Sequence, residues 1–249
     1  MFLSVNPNEL SVEEQKALGE RITEFIQTNP ATFPILDEND PNNRMAYSYL
    51  RDSIFQIVIN THAVTRRLDL DWKISIIEDD NERNMFTLPG GEIFIYTGLL
   101  KFLENNAEIM GVIAHEVAYA DGDWVADNLI EQFEGRALVD IINDNDQNRL
   151  EEVAEYFMIV GYEKKVVFHA DTFAMDLICP FRYDPRGLRN VLERANSDPN
   201  EFKWIQTKNP EPAVRKEYIE AFLSRNSCRT SSDILLEESY QRFIEQYLP

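Results

Sequence analysis

Cysteine and positive charge are both scarce in this 249-residue sequence, and each shortage narrows what the chain can do. The two cysteines, Cys179 and Cys228, lie too far apart in sequence to form a metal-binding pair. Two alternatives stay open for them: one disulfide bond in an exported protein, or two free thiols. The 24 lysines and arginines face 44 aspartates and glutamates, which gives a net charge of −20. This charge disfavours nucleic acid and anionic membranes as partners, because each phosphate would meet carboxylates.

Long apolar runs are also missing. No stretch reaches the roughly 18 consecutive apolar residues that a membrane-spanning helix needs. Residues 1–8 lack the charged start and the apolar core of a secretory signal. We therefore expect a soluble chain, either cytoplasmic or exported as a periplasmic protein or lipoprotein after loss of a signal. The sequence does not decide between these locations and contains no signature of an oligomeric state.

The apolar residues that are present predict a folded, mostly helical α+β protein with a small sheet. Hydrophobic residues make up 44% of the chain, which is typical of a globular protein. Helical spacing of apolar residues dominates before residue 70 and after residue 121, and alternation over residues 72–77 and 92–96 indicates two strands. We expect one domain over residues 1–225, with helices in 1–70 and a core in 70–225. A C-terminal helical extension follows over 226–249.

The chemistry-bearing stretch is His115-Glu116-Val117-Ala118-Tyr119, within a segment of helical periodicity. In the His-Glu-x-x-His pattern of metallopeptidases, two histidines one helical turn apart bind zinc, and the glutamate activates a zinc-bound water. Here the first histidine and the glutamate are present. Tyr119 occupies the position of the second histidine, so the sequence raises the question of whether this site still binds a metal.

Further landmarks resemble the gluzincin-type zinc metallopeptidases related to the CAAX prenyl protease and HtpX, in particular their soluble bacterial members. That family has a Leu-Pro-Gly-Gly turn beside an edge strand, a Thr-Gly-Leu-Leu turn, the His-Glu helix, an Ala-Asp pair, Tyr-Asp-Pro and a Thr-His-Pro stretch. The corresponding residues are found here in the same order: Asn84 to Gly91, Thr97 to Leu100, His115-Glu116, Ala170-Asp171, Tyr183-Asp184-Pro185 and Thr207 to Pro210. The resemblance covers roughly residues 10–225. It implies a zincin-like domain whose edge strand lies beside the active-site helix.

The resemblance also implies a set of site residues, several of which differ from the family pattern. His115, His169 and Tyr119 would be the metal ligands, where His169 aligns with the family's ligand glutamate. Glu116 would be the general base. Asp171 would hold a ligand histidine in place, and Lys208, which aligns with the histidine of the Thr-His-Pro stretch, would stabilise the transition state.

Other residues complete the implied site. Tyr119 is a second candidate for stabilising the transition state, and Asp121 and Asp123 are alternative metal ligands. A phenol with an ordinary pKa near ~10 is a poor ligand unless it is deprotonated, so such a site would bind zinc weakly or not at all. An extended or unfolded polypeptide would add to the strand that begins with Gly91, Glu92, Ile93 and Phe94.

Two main functional hypotheses follow and stay open at this point, beside a third in which Tyr119 blocks the metal position reversibly, as in a zymogen. The first is a zinc-dependent metalloendopeptidase with a remodelled ligand set, which hydrolyses peptide bonds. The second is a catalytically silent peptidase-like binding or chaperone module. In the second, Tyr119 fills the space of a histidine and a metal, and its hydroxyl bonds to His115, His169 or Glu116 within a polar core.

Overall fold

The computed structural model describes residues 8–143, 147–157, 162–180, 183–197, 211–226, 228 and 237–249. Within these residues the protein is an α+β fold dominated by helices, as the sequence predicts. The helices before the sheet are α1 Val12–Thr28, α2 Arg44–Tyr47, a π-helical segment Ser48–Phe55 and α3 Gln56–Ile59. The helices after the sheet are α4 Thr97–Phe102, α5 Asn106–Asp121, α6 Trp124–Phe133, α7 Gly135–Ile142, α8 Gln147–Tyr156, α9 Lys164–Ile178, α10 Gly187–Ala195, α11 Pro212–Asn226 and α12 Glu237–Tyr247. None of the described helices is both long enough and apolar enough to cross a membrane.

The three described strands form one sheet in the order β1-β3-β2. They are β1 Lys73–Ile77, β2 Met85–Thr87 and β3 Glu92–Tyr96. Strand β3 pairs in parallel with β1 and antiparallel with β2. The turn between β2 and β3 contains Gly90 and Gly91 at φ +87° and +99°, a conformation that other residues adopt only with strain.

The sheet order corrects the predicted substrate strand. Gly91, Glu92, Ile93 and Phe94 lead into and begin β3, which is the central strand and is flanked on both sides. Its backbone groups are therefore already paired and cannot accept an added strand. The edge strand beside α5 is β2, which the sequence hid because its three residues are all buried and show no alternation.

Helix α5 lies at the centre of the fold. Every residue from Asn106 to Ala120 is buried, so the helix is covered on all sides by protein. Its N-terminus is capped by Asn105, whose side chain accepts a hydrogen bond of 3.0 Å from the Glu108 N–H. Helices α9 and α10 and strand β2 are among the elements that pack against it. The approach of α10 is so close that a Cβ on Gly187 would lie 2.1 Å from the carbonyl oxygen of Ala107.

The C-terminal helix α12 docks on this same core. Tyr240 and Phe243 are completely buried, and the Tyr240 hydroxyl donates a 2.7 Å hydrogen bond to the carbonyl oxygen of Leu100. Phe243 also stacks on Tyr49, with ring centroids 4.3 Å apart. The helix predicted beyond residue 225 therefore packs on the rest of the chain, while the domain boundary at 225 stays a prediction.

The structure resolves the open question of the cysteines, since Cys179 and Cys228 form a disulfide bond. The bond joins the residue after α9 to a position two residues beyond α11, across a sequence separation of 49 residues. It thus connects the ends of two helices that pack against each other. A cross-link over a loop of this length restricts the unfolded chain far more than the folded one.

Removing the disulfide should destabilise the protein. For a loop of this length the chain-entropy argument gives about 4 kcal/mol at 25 °C, so the Cys179→Ser/Cys228→Ser variant should unfold at clearly lower urea concentration. Equilibrium urea unfolding followed by circular dichroism measures the difference. As an internal control, a reductant should lower the midpoint of the wild type and leave the variant unchanged. Equal midpoints for the oxidised wild type and the variant would contradict the prediction.

Candidate functional site

The His-Glu pair of the sequence motif lies in the middle of α5, in the interior of the protein. His115 and Glu116 are only 1% and 3% exposed. Tyr119, one turn further along the helix, is 3% exposed. Because residues four apart on a helix lie on the same face, His115 and Tyr119 point to the same side, as the spacing predicts.

Both ring nitrogens of His115 have a protein partner. Nε2 lies 2.8 Å from the hydroxyl of Tyr119, and Nδ1 lies 2.9 Å from Oδ1 of Asp171. Burial lowers the pKa of His115 and outweighs the hydrogen bond to Asp171, which alone would raise it. The imidazole is therefore neutral. Since a carboxylate only accepts hydrogen bonds, Nδ1 carries the proton and Nε2 accepts from the Tyr119 hydroxyl.

Tyr119 is held as a neutral phenol. Burial raises its pKa well above the ordinary value, and the nearby charge of Glu116 adds to this effect. Its ring stacks on Tyr162 with a centroid distance of 3.9 Å and meets Trp124 edge-on at 6.3 Å. The ring is thus fixed by aromatic packing, and its hydroxyl points at the nitrogen that a zinc ion would need.

Asp171 receives its compensating charge from Arg215, a residue that the sequence analysis missed. Both side chains are completely buried. The guanidinium donates two hydrogen bonds to the carboxylate, from Nη2 to Oδ1 at 2.7 Å and from Nε to Oδ2 at 3.0 Å. Burial alone would raise the pKa of Asp171, but the charge of Arg215 and the hydrogen bond from His115 lower it below its usual value. The sequence did offer a signal for such a residue, because an aspartate that is predicted to be buried requires a positively charged partner elsewhere in the chain.

Glu116 makes a contact of another kind. Its Oε2 accepts a 2.7 Å hydrogen bond from the hydroxyl of Thr87, on the edge strand β2. The same hydroxyl lies 3.3 Å from the Glu116 carbonyl oxygen. The carboxylate expected to activate water thus links α5 to the sheet.

His169 is not brought together with His115. It lies on α9, as does Asp171, but two positions on a helix differ by about 200°, so the two side chains leave opposite faces. Asp171 faces His115, whereas His169 is exposed and its ring lies 5.8 Å from that of Trp124. The residue one turn before Asp171 on the buried face is Val167, which is fully buried in the same apolar cluster as Tyr119.

Asp121 and Asp123, the alternative metal ligands, form contacts away from His115. Asp121 accepts hydrogen bonds from the Arg66 N–H at 2.7 Å and from the Thr65 hydroxyl at 3.1 Å. Asp123 forms an ion pair with Arg66. Both aspartates therefore connect the end of α5 to neighbouring loops. Lys208 lies outside the described residues.

The donor set around His115 does not fit a catalytic zinc ion. Such an ion takes three protein ligands with free lone pairs and keeps a fourth position for water. Here Nε2 of His115 is covered by a phenol that keeps its proton, and His169 lies elsewhere. Across the described residues, no three His, Cys, Asp or Glu side chains come together as a metal site. The arrangement is a closed polar network in the core.

Comparison with known proteins identifies the ancestry of this fold. Residues 49–224 match the sequence model of Peptidase family M48, and because the match covers more than half of the chain, the protein belongs to that family. Family M48 metallopeptidases are zinc-dependent.

The curated relatives carry the name mitochondrial metalloendopeptidase OMA1. They correct the motif-based resemblance, which pointed to the branch of the family that contains the CAAX prenyl protease and HtpX. The Arabidopsis thaliana protein is 29% identical over 143 residues, 53% of this chain and 28% of its own length. The Schizosaccharomyces pombe protein is 23% identical over 184 residues, 70% of this chain and 53% of its own. The Saccharomyces cerevisiae protein is 36% identical over 61 residues, 24% of this chain and 18% of its own. The chain thus spans about half or less of these relatives.

Loss of Arg215 should be costly, because it would leave a buried carboxylate without a counter-charge. We expect Arg215→Met to lower the free energy of unfolding by about 3–5 kcal/mol. The neighbouring Lys216 offers a matched control, since its ion pair with Glu193 is partly exposed. Lys216→Met should change stability by no more than about 1 kcal/mol. Urea unfolding of both variants checks this, and equal losses would contradict the buried ion pair.

Proposed function

We propose that this member of Peptidase family M48 is a catalytically silent, metal-free form of the peptidase fold that acts by binding polypeptide. The observation that carries the proposal is the 2.8 Å contact between Nε2 of His115 and the Tyr119 hydroxyl. The Tyr119 hydroxyl thereby occupies Nε2, the nitrogen through which His115 would bind zinc. Of the two hypotheses from the sequence, this contact favours the binding module over the remodelled metalloendopeptidase.

The electrostatics of the core support the same proposal. A zinc ion would bring two positive charges next to Asp171, whose negative charge Arg215 already compensates through two hydrogen bonds. Nη2 of Arg215 also lies 3.5 Å from Nδ1 of His115. A cation bound at this histidine would therefore face a fixed guanidinium, which repels it in a medium of low dielectric constant.

The position of Glu116 argues against hydrolysis on independent grounds. A general base must lie within hydrogen-bond reach of a water that attacks the substrate. Glu116 is 3% exposed and binds Thr87, and its neighbour His115 is equally closed to solvent. The Glu116 side chain therefore has little contact with solvent in this structure.

Metal analysis and a cleavage assay test the proposal together. The full chain, purified without chelator, should contain far less than one zinc per molecule, and added zinc should bind no more tightly to it than to His115→Asn. Casein should stay intact over hours, with the same background in Glu116→Gln. Stoichiometric zinc that is lost in His115→Asn, together with cleavage that is lost in Glu116→Gln, would overturn the proposal and establish the metalloendopeptidase.

A rebuilt site tests the helix positions directly. Tyr119→His combined with Val167→Glu places two histidines and a carboxylate on facing sides of α5 and α9, so this variant should bind zinc more tightly than the wild type, because the added carboxylate offsets the repulsion from Arg215. The matched control, Tyr119→His combined with His169→Glu, has the same composition of ligands but places its carboxylate on the exposed face. We expect the first pair to bind at least about tenfold more tightly, since loss of even an indirect ligand partner costs about 10–100-fold.

Competition with a chromogenic zinc chelator measures both affinities, and circular dichroism confirms that both variants are folded. Tighter binding by the variant with Glu at position 169 would show that this residue faces His115. It would then contradict the helix phase described above.

A further inference from the structure

A surface on α9 and α11 combines positive charge with exposed aromatic rings. Its members are Lys164, Lys165, Phe168 and His169 on α9 and Tyr218 on α11, and we call these five residues the basic-aromatic patch. Together with Glu163 they line an open depression on the surface. The patch lies outside the buried network, because His169 and Asp171 leave opposite faces of α9.

Part of the patch is a column of stacked groups. The Lys164 Nζ lies 5.5 Å above the centre of the Phe168 ring, and the Phe168 ring lies 4.5 Å from that of Tyr218. The Tyr218 hydroxyl is fixed by a 2.7 Å hydrogen bond with the hydroxyl of Thr172. These contacts hold the aromatic rings in place before any partner arrives, which lowers the entropy cost of binding.

Two large apolar side chains at this surface are open to solvent, while Phe168 is partly buried. Tyr218 is 38% exposed, and Val214, one turn earlier on α11, is 39% exposed. On the other side of the patch, the exposed ring of His169 packs on Trp124. Rigid aromatic side chains that stay accessible on a folded surface are typical of binding sites.

The basic-aromatic patch carries two positive charges, whereas the chain as a whole is negatively charged. The net charge is −20, and basic side chains elsewhere, such as Arg189, Arg194 and Lys216, form ion pairs with glutamates. Within the described residues, neither Lys164 nor Lys165 has an ion pair. Two adjacent lysines are thus available to carboxylates from outside.

We propose that the basic-aromatic patch binds a short acidic polypeptide segment that carries an aromatic side chain. Carboxylates of the segment pair with Lys164 and Lys165, and its aromatic side chain packs against Phe168 and Tyr218. The proposal names the partner class for the binding role proposed above and rests on that role. Binding at the patch does not depend on whether zinc is bound at His115, and the zinc content is measured separately.

A short peptide fits this surface better than an extended polyanion. At physiological ionic strength, charges more than about 8 Å apart are largely screened, so a few carboxylates respond mainly to the two lysines. A nucleic acid or an anionic membrane would cover a larger area and meet the acidic surface around the patch.

The test uses the full chain and a fluorescein-labelled peptide of alternating glutamate and phenylalanine, with fluorescence anisotropy as the readout. Lys164→Glu/Lys165→Glu should weaken binding about tenfold or more, which corresponds to about 1.4 kcal/mol. The control is Arg67→Glu/Arg242→Glu, which makes the same change in net charge at two exposed sites. Its affinity should stay within about twofold of the wild type. The changes at 164 and 165 should not impair folding, because acidic residues are favourable in the first turn of a helix.

Two further comparisons test the aromatic part. Tyr218→Ser should weaken the glutamate-phenylalanine peptide but leave a glutamate-alanine peptide unchanged. A glutamine-phenylalanine peptide should bind the wild type at least about tenfold more weakly than the acidic peptide. Equal losses in the two charge-reversal pairs, or equal binding of the glutamine peptide, would overturn the proposal.

Single-stranded DNA and phosphatidylserine vesicles are tested as alternative partners. Binding of either through Lys164 and Lys165, with no binding of the acidic peptide, would also overturn it. The zinc content of the same preparation shows independently whether the metal-free role holds. A zinc-containing protein with an active patch, and a metal-free protein with an inactive one, are therefore distinguishable results.

Discussion

The buried carboxylate of Asp171 is the constraint on which the core of this protein depends. A charge without solvent needs a partner of opposite sign, and Arg215 provides it from a helix more than 40 residues further along the chain. With that pair in place, His115 is neutral and presents Nδ1–H to Asp171, so its other nitrogen must accept a hydrogen bond. Tyr119 donates it. The charge of Asp171 thus sets the protonation of His115, and the protonation of His115 sets the direction of its hydrogen bond with Tyr119.

Much of the fold could be predicted because it depends on local patterns. Ser11 and Glu14 have the spacing of a capping box and form one at the start of α1, and the apolar spacing after residue 105 predicts α5. The parts that failed depend on non-local information. Whether β3 is an edge or a central strand is decided by its pairing with β1 and β2, and strand periodicity carries no record of that order. The rotation of α9 was equally hidden, since an alignment of landmarks does not fix which of residues 167 and 169 faces α5.

Membership of Peptidase family M48 and the chemistry of the core are separate results. The family match extends over residues 49–224, and the fold retains the helix, the turn with two glycines and the small sheet. At its centre, Asp171 and Arg215 compensate each other's charge. A metal site contributes stability only when the metal is bound, whereas an arginine is always charged and needs no cofactor. In this protein the compensation of the buried Asp171 charge by Arg215 is therefore independent of a metal.

The contact between Glu116 and Thr87 has a consequence for how such sequences are interpreted. A glutamate that joins the central helix to the sheet can be preserved by selection for folding alone. The contact with Thr87 is thus a structural role that does not require Glu116 to act in hydrolysis. Retention of that one residue is accordingly a poor indicator that the reaction survives.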